Sequence, residues 1–265
     1  MAPVRLLVLS PHYDDAAYSL GGLLHQQARA GHRVVVVTVC GAGPQAGGGV
    51  PPLARELHAR WIASAKTDGW LNTAAAERAA EDAAALAILG VEGQSLDIAD
   101  CIYRRDPATA EWLCPTEESL FAGEGVREPD LARRIAAAVI ALAGTSGAEV
   151  LAPLGIGNHV DHRLARLAAE MAAGPALVFY EDYPYAAAEG TMSPEAATRG
   201  LVPRGWPLEP DDLDAWTAAA QAYTSQVSTF WPSPDALAAE LGLFAARRGT
   251  WAGAAAAVRT WRRPP

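Results

Sequence analysis

Cysteine is scarce in this sequence, with three residues in 265, and no short spacing joins them. Cys40, Cys101 and Cys114 therefore fit neither a disulfide framework nor a four-thiolate zinc site. An odd number of scattered cysteines is typical of a protein from a reducing compartment, so we predict a cytoplasmic location.

Basic residues and long apolar runs are also few. The chain has 21 basic and 30 acidic residues, which gives a net charge of −9. A protein that binds phosphate backbones normally carries a basic face, so we exclude nucleic acid as a partner. No apolar run approaches the roughly 20 residues of a membrane helix, and Leu6–Leu9 is too short for a signal-peptide core. We expect a small-molecule substrate and no membrane; a homo-oligomer stays open.

Only 7% of the residues are aromatic, whereas 51% are hydrophobic and 19% are charged. This composition is typical of a globular protein, and the length suits one domain. Strands are predicted at Leu6–Leu9, Val34–Val39, Ser95–Ile98, Val150–Ala152 and Ala176–Tyr180. Helices are predicted between and after them, near residues 16–30, 53–66, 73–89, 131–142, 163–173 and from 212 onward.

Strands that alternate with helices predict an α/β fold, a Rossmann-like three-layer sandwich with a mostly parallel sheet. We interpret residues 1–265 as one domain. Residues 1–182 are predicted to be the scaffold, and residues 183–265 a substrate-shaping insertion with C-terminal helices. Residues 101–129 are predicted to be a long loop, and 184–211 the insertion, because 184–211 is rich in proline and glycine. The final Arg-Arg-Pro-Pro is predicted to be a frayed tail.

Two motifs follow predicted strands. The first strand runs into Ser10-Pro11-His12-Tyr13-Asp14-Asp15, and the strand at Val150 runs into the segment from Gly155 to His162. Ligands of an open parallel sheet bind beyond the carboxyl ends of its strands. These two motifs are therefore the candidate functional site.

The residue types in these motifs suit a metal centre. His12 and Asp15 are three residues apart, as are His159 and His162, so each pair projects from one side of a helical turn. Two histidines and a carboxylate are a common catalytic zinc set, which His12, Asp15 and His162 supply. Asp14 and His159 remain as general base and general acid for attack of zinc-bound water on a carbonyl.

Other interpretations stay open at this point. Each motif alone is explained by helix capping, because Asp14 and Asp15 are good N-terminal residues of a helix. A nucleotide- or sugar-binding module is the alternative from another class of function. It would use residues 41–49 as a phosphate loop, although the pattern G-x-G-x-x-G is not matched there. In an enzyme, the same residues are interpreted as a flexible loop over the site. Two motifs at the ends of two strands favour the metal centre.

The sequence resembles the LmbE-like/PIG-L family of zinc-dependent N-deacetylases over roughly its first 180 residues. The resemblance rests on both motifs and on softer matches, namely Gly21-Gly22, Val34–Val39, Arg78–Asp82 running on to Leu89-Gly90-Val91, and Leu96–Asp100. It implies removal of an N-acetyl group from a small soluble substrate, an amino sugar or its conjugate. Hydrolysis of another small amide remains the neighbouring alternative.

The resemblance also implies roles for single residues. His12, Asp15 and His162 hold Zn²⁺, or another divalent metal such as Fe²⁺, and Asp14 is the base. His159 assists protonation, and Asp161 orients a metal-binding histidine. Arg78 and Asp100 are implied as substrate contacts.

Three positions depart from the family pattern. The family commonly has proline where this chain has Tyr13 and glutamate where it has Ala16. Some members also place a tyrosine, which stabilises the oxyanion, where this chain has Gly157. The sequence therefore leaves open which side chain performs that role. Tyr183 and Tyr185, after a strand, are candidates to line the pocket.

Overall fold

The fold is built on one seven-stranded sheet, seen in a computed structural model that describes residues 5–44, 49–61, 70–123, 125–144, 147–187 and 197–264, without the side chains of 70–73. The strands are β1 (Arg5–Ser10), β2 (Arg33–Thr38), β3 (Glu92–Ser95), β4 (Glu149–Pro153), β5 (Val178–Tyr180), β6 (Val202–Pro207) and β7 (Ala257–Arg262). Their order across the sheet is β3-β2-β1-β4-β5-β7-β6.

The sheet is mostly parallel. The five strands from β3 to β5 in that order run parallel, β7 is antiparallel to β5, and β6 is antiparallel to β7. The predicted α/β class with a mostly parallel sheet is confirmed. The sheet takes its last two strands from the region after residue 182.

Nine α-helices lie in the described part of the chain, and none of them combines the length and the apolar character needed to cross a bilayer. They are α1 (Asp15–Arg29), α2 (Pro52–Trp61), α3 (Trp70–Leu89), α4 (Glu117–Phe121), α5 (Pro129–Ala143), α6 (Val160–Ala173), α7 (Pro210–Gln221), α8 (Thr224–Phe230) and α9 (Pro234–Ala252). Short 3₁₀ turns lie at Cys101–Tyr103 and Gly174–Ala176.

The sheet is covered on both faces. Leu6 and Val8 of β1 pack in a core with α1, α3, α7 and α9, whereas Leu7 and Leu9 pack in a second core with α5 and α6. A strand that is buried on both faces must be apolar throughout, which is why β1 has no alternating pattern. Three layers result, as predicted.

Close packing of α1 against α7 depends on small residues in α1. A Cβ at Gly21 would clash with Cδ1 of the Trp216 indole, which is fully buried. The indole Nε1 also donates a hydrogen bond to the Tyr18 carbonyl at 3.1 Å. This contact fixes α1, and therefore the helix start that carries Asp15, against the C-terminal helices.

Several boundaries predicted from sequence are wrong. The weak strand predicted at Ser95–Ile98 lies at Glu92–Ser95, where all four residues are exposed at the sheet edge, so hydrophobicity could not reveal it. The predicted loop at 101–129 contains α4, which begins with a capping box of Thr116 and Ser119. Residues 45–48 of the predicted loop at 41–49 and residues 62–66 of the predicted helix at 53–66 lie outside the described residues.

The predicted insertion at 184–211 contains a strand of the main sheet, which its prolines did not indicate. Residues 184–211 contain β6, with Pro203 and Pro207, and β6 is an edge strand whose outer side needs no backbone N–H partner. Its neighbour β7 continues to Arg262, so the predicted tail begins within a strand.

Candidate active site

The two predicted motifs meet at the carboxyl edge of the sheet. β1 and β4 are adjacent and parallel, with Leu7 opposite Val150. The strand order reverses between them, and this is the position where α/β sheets form a ligand-binding crevice. His12 follows β1 and His159 follows β4, and their ring centroids are 5.0 Å apart.

The turn between β1 and α1 holds the first motif rigidly. Ser10 Oγ donates to the His12 carbonyl at 2.5 Å and accepts from the Ala16 N–H at 2.9 Å. Asp15 Oδ2 accepts the backbone N–H of His12 at 2.7 Å. As a result, His12 Nδ1 lies 3.2 Å from the same carboxylate oxygen, as the three-residue spacing predicts.

The second motif begins in a tight turn. Gly155, Gly157 and Asn158 have φ angles of +76°, +88° and +65°, a region that favours glycine and asparagine. His159 then caps α6, because its Nδ1 accepts the Asp161 N–H at 3.2 Å. His162 lies in the first turn of α6, and its Nε2 is 3.3 Å from Asp15 Oδ1.

His12, Asp15 and His162 fit a divalent metal ion. The Asp15 oxygens lie 3.2 Å from His12 Nδ1 and 3.3 Å from His162 Nε2. Ligand atoms about 2.0–2.1 Å from a tetrahedral zinc ion would lie about 3.3–3.4 Å from each other. All three side chains are buried, and imidazole with carboxylate is a donor set that zinc prefers.

His159 is the alternative third ligand. Donor atoms of His12, His159 and His162 lie within 4.8 Å of one another. Two further sets of possible metal ligands overlap with these residues, namely Cys101 with His159 and Asp161, and His12 with Asp100 and Asp161. Asp15 contacts both histidines, through Oδ2 to His12 and Oδ1 to His162, and its charge would partly neutralise the cation, which favours Asp15 as the third ligand. His159 already uses Nδ1 to cap α6.

Two buried carboxylates contact the other nitrogens of the histidines. Asp161 Oδ2 lies 3.1 Å from His12 Nε2, and Asp182 Oδ1 lies 2.7 Å from His162 Nδ1. Each carboxylate also accepts a backbone N–H at 2.9 Å. Such partners fix the tautomer and the ring orientation of metal-binding histidines. They leave His12 Nδ1 and His162 Nε2 to face Asp15.

Arg104 supports the carboxylate of Asp161. Its Nη2 lies 2.6 Å from Asp161 Oδ1 and 2.7 Å from Glu128 Oε2. Burial alone would raise the pKa of Asp161, but the charges of Arg104 and His12 outweigh burial and hold this pKa well below its ordinary range. Asp161 therefore stays ionised.

The same carboxylates favour protonated histidines in the metal-free chain. Burial disfavours the imidazolium of His162, yet Asp15 and Asp182 raise its pKa to about 10. Burial also opposes the charge on His12, and Asp100 and Asp15 nevertheless raise its pKa above the ordinary value. A metal ion must displace these protons, so its affinity should increase with pH.

Asp14 lies next to this cluster and pairs with Arg78. Asp14 Oδ1 is 3.2 Å from Arg78 Nη2, and Arg78 Nη1 is 3.9 Å from Asp100 Oδ2. Burial raises the pKa of the Asp14 carboxyl, although the Arg78 charge partly opposes this effect. An accessible carboxylate with a raised pKa is suited to accept a proton. The predicted substrate contacts of Arg78 and Asp100 stay predictions.

His159 faces the same cavity in a neutral form. Burial and the charges of His12 and His162 lower the pKa of His159 well below its ordinary value. Its predicted role as a proton donor therefore depends on the charge of those neighbours.

A cavity of about 370 Å³ is lined by six of the eight predicted site residues, and the other two, Asp161 and His162, are buried next to them in contact with His12 and Asp15. Tyr183 and Tyr185 line it, as predicted. Its other walls include apolar side chains, namely Leu57, Trp61, Ile102, Leu120, Phe121 and Phe230. A larger cavity of about 500 Å³, beside Arg104 and Trp112, contains none of the predicted site residues.

Sequence reasoning missed two buried residues of the site. Asp182 lies two residues after the end of β5, so the rule that identified the two motifs could also have identified it. Arg104 lies in the segment predicted as a loop, where no local pattern indicates its partners.

The family profile described as PIG-L, GlcNAc-PI de-N-acetylase, matches residues 7–173. A 2'-N-acetylparomamine deacetylase of Streptomyces fradiae is 31% identical over 206 residues, which are 75% of this chain and 65% of that protein. A 2'-N-acetylparomamine deacetylase of Niallia circulans is 27% identical, over 68% of this chain and 66% of that protein. The chain thus spans just under two thirds of the length of these curated relatives.

Solved structures share the whole fold. The zinc-inhibited form of teicoplanin deacetylase Orf2 has a TM-score of 0.80 at 27% identity, covering 97% of both chains. The A40926 pseudoaglycone deacetylase Dbv21 has a TM-score of 0.73 at 27% identity, covering 98% of this chain and 96% of its own. The N,N'-diacetylchitobiose deacetylase of Pyrococcus horikoshii, with a TM-score of 0.61 at 15% identity, covers 98% of this chain and 83% of its own and shares the fold alone.

Proposed function

The chain belongs to the PIG-L family, and on that premise we propose that it is a metal-dependent N-deacetylase of an amino-sugar conjugate. The reaction is hydrolysis of the acetamide to acetate and a free amine. The observation that carries the proposal is the contact of Asp15 with His12 and His162 at 3.2–3.3 Å, with Asp14 lining the same cavity as His12 and Asp15.

His12 through Nδ1, His162 through Nε2 and Asp15 through its carboxylate would hold the metal. When bound, a zinc ion supplies Lewis-acid activation of water and of the amide carbonyl. Fe²⁺ also accepts two histidines and one carboxylate, so it is the second candidate. The teicoplanin deacetylase structure is a zinc-inhibited form, so it supports metal binding in that protein but does not name the activating metal, and zinc and iron must each be tested.

Asp14 accepts the proton of the attacking water at its carboxylate. Its raised pKa strengthens it as a base, and Arg78 holds the carboxylate toward the cavity. An amine leaves only when it is protonated. His159 is neutral at rest, so it can protonate the departing nitrogen only after it takes up a proton, and the proton that Asp14 accepts from water is the source we propose. Asp161 contributes by orienting His12.

The shape of the cavity supports a substrate larger than an acetylated monosaccharide. Phe121 and Phe230 are 38% and 53% exposed and lie at its wall, where they offer an apolar surface to a group attached to the sugar. Arg78 and Asp100 are the candidates to contact sugar hydroxyls. Residues after 182 supply Tyr185, Phe230 and further wall residues, which supports a substrate-shaping role for the region 183–265. The relatives named for N-acetylparomamine and teicoplanin also support a conjugate.

Acetate release from a substrate panel tests this proposal. The panel contains N-acetylglucosamine, a mono-N-acetylated aminoglycoside and aryl glycosides of N-acetylglucosamine, each with protein that is metal-stripped, zinc-loaded or iron-loaded. We expect release only by loaded protein, fastest with a conjugate. Absence of acetate from every acetamide, despite one bound metal ion, would overturn the proposal. Release of another acid from a different amide would move the function to the neighbouring amide hydrolases.

The apolar wall has a test of its own. Phe230→Ala should lower kcat/KM for the aryl glycoside about tenfold while leaving N-acetylglucosamine unchanged, since burial of an apolar side chain against the aryl group contributes about 1.5 kcal/mol. Leu243→Ala, which truncates a 60% exposed side chain on α9 outside the cavity wall, is the matched control. Equal losses for both substrates would argue against a conjugate.

A further inference from the structure

Gly157 and Tyr185 fit together in a way that only a glycine allows. A Cβ on Gly157 would lie 2.6 Å from Tyr185 Cγ and 2.8 Å from Cδ1, which are distances that real side chains do not tolerate. The φ angle of +88° at Gly157 also favours glycine. The Tyr185 ring therefore occupies the space above the turn between β4 and α6.

The position of the ring is fixed by its own turn. The Ala186 N–H donates to the Asp182 carbonyl at 2.7 Å, and the Ala187 N–H donates to the Pro184 carbonyl at 2.9 Å. Tyr185 thus belongs to the turn that also carries Asp182. This turn contacts His162 twice, through the carboxylate at 2.7 Å and through the Tyr185 ring, whose centroid is 5.6 Å away at an angle of 82°.

Tyr185 also faces the reaction space. It lines the cavity that holds His12, Asp14, Asp15 and His159, and it is half-buried. Two other tyrosines, Tyr18 and Tyr183, line the same cavity, but their hydroxyl oxygens are shut off from solvent. Among the cavity tyrosines in the described ranges, Tyr185 is therefore the one that combines access to the cavity with contact to a candidate metal ligand.

Hydrolysis of an amide requires hydrogen-bond donors at the carbonyl oxygen. Negative charge develops on this oxygen as water adds, and a donor that is already in place stabilises the charge. A phenolic hydroxyl has one O–H donor, so it can donate to such an oxygen. We propose that the Tyr185 hydroxyl donates a hydrogen bond to the substrate carbonyl oxygen in the tetrahedral transition state, and that Gly157 is required to admit it.

This inference rests on the proposed deacetylase function and names a catalytic residue for it. No covalent bond to Tyr185 forms or breaks; the phenolic proton stays on its oxygen and is shared with the oxyanion. The hydroxyl acts on the transition state rather than on the ground state, so its removal should lower kcat and leave KM unchanged.

Tyr185→Phe tests the inference because it keeps the ring and removes the hydroxyl. We expect kcat to fall by about 10²–10³, the usual loss for one oxyanion donor, with KM, bound metal and melting temperature unchanged. Tyr180→Phe is the matched control, since it removes a phenol that donates to the Leu9 carbonyl at 2.8 Å outside the cavity wall. It should lower the melting temperature and leave kcat within twofold.

A binding measurement separates this inference from the proposed function. A methylphosphonamidate analogue of the acetamide, which mimics the tetrahedral state, should bind Tyr185→Phe about 100-fold more weakly than wild type, whereas the free-amine product should bind both equally. Equal affinity of the analogue for both proteins, or a kcat for Tyr185→Phe within threefold of wild type, would overturn the role of Tyr185. If wild type hydrolyses no acetamide, the proposed function fails, and the analogue still decides whether Tyr185 meets an oxyanion.

Discussion

Replacement of Asp182 by asparagine should weaken metal binding without unfolding the site. The carboxylate accepts two hydrogen bonds, from His162 Nδ1 at 2.7 Å and from the Ile156 N–H at 2.9 Å. Asparagine has one carbonyl oxygen and one NH₂ group in the same space, so it can accept only one of them. If its oxygen faces Ile156, its NH₂ faces His162, and the proton of that ring must move to Nε2, the nitrogen needed for the metal.

The expected loss of metal affinity in Asp182→Asn follows from this geometry. To bind metal, His162 must carry its proton on Nδ1, which then faces an NH₂ group and loses a buried hydrogen bond, at a cost of about 1–3 kcal/mol. The usual penalty for loss of such a partner is about 10–100-fold in metal affinity. We therefore expect the zinc dissociation constant of Asp182→Asn to rise by 10–100-fold, measured by competition with a chromophoric chelator at constant pH.

Glu181→Gln is the matched control. Glu181 precedes Asp182 in the chain and is also buried, but it contacts Arg248 and Arg259 away from the metal cluster. This variant should lower stability and leave zinc affinity unchanged. A zinc dissociation constant for Asp182→Asn within twofold of wild type, or the same loss in both variants, would refute the reasoning.

Three further predictions concern the proposed base Asp14, the buried ion pair of Arg104 with Asp161, and the buried carboxyl group of Asp82. Asp14→Asn should keep one equivalent of zinc and lose about 10²–10⁴ in kcat, and substantial activity in this variant would contradict its role as base. Arg104→Ala removes the guanidinium that pairs with the buried carboxylate of Asp161. The free energy of unfolding, measured with denaturant, should fall by about 3–5 kcal/mol, and a fall below about 1 kcal/mol would contradict a stabilising role for this ion pair. Burial raises the pKa of Asp82 to about 7 from 3.8, so the folded chain holds a proton that the unfolded chain releases, and this contribution to stability is lost as pH rises from about 4 to about 7. Asp82→Asn should abolish this pH dependence, which amounts to up to about 4 kcal/mol in the free energy of unfolding between pH 4 and 8. Denaturant unfolding at several pH values measures it, and an unchanged dependence on pH would refute the prediction.

The candidate metal ligands could be predicted from sequence because they lie close in the chain to two strand ends. β1 is apolar throughout, so its end is clear, and His12 and Asp15 follow within five residues of Ser10. His159 and His162 follow within nine residues of Pro153, the end of β4. A parallel sheet then brings the two ends together without further information.

The supporting contacts depend on tertiary structure and had weaker signals. Asp182 reaches His162 from a third strand, and Arg104 reaches Asp161 from a segment without periodicity. The fit of Tyr185 above Gly157 joins residues that are far apart in sequence, and neither residue predicts the other.

The edge strands were hidden for a different reason. β3 is exposed along its whole length, and β6 contains two prolines. Sequence patterns identify strands mainly by burial and by backbone pairing on both sides, and an edge strand requires less of each.

Titration of metal-free wild type with zinc, while acetate release from an N-acetyl amino-sugar conjugate is followed, tests the central claim most directly. The account predicts no release without metal and a linear increase to a break at one zinc ion per chain. Metal-free protein that hydrolyses the conjugate as fast as the loaded protein would contradict the account.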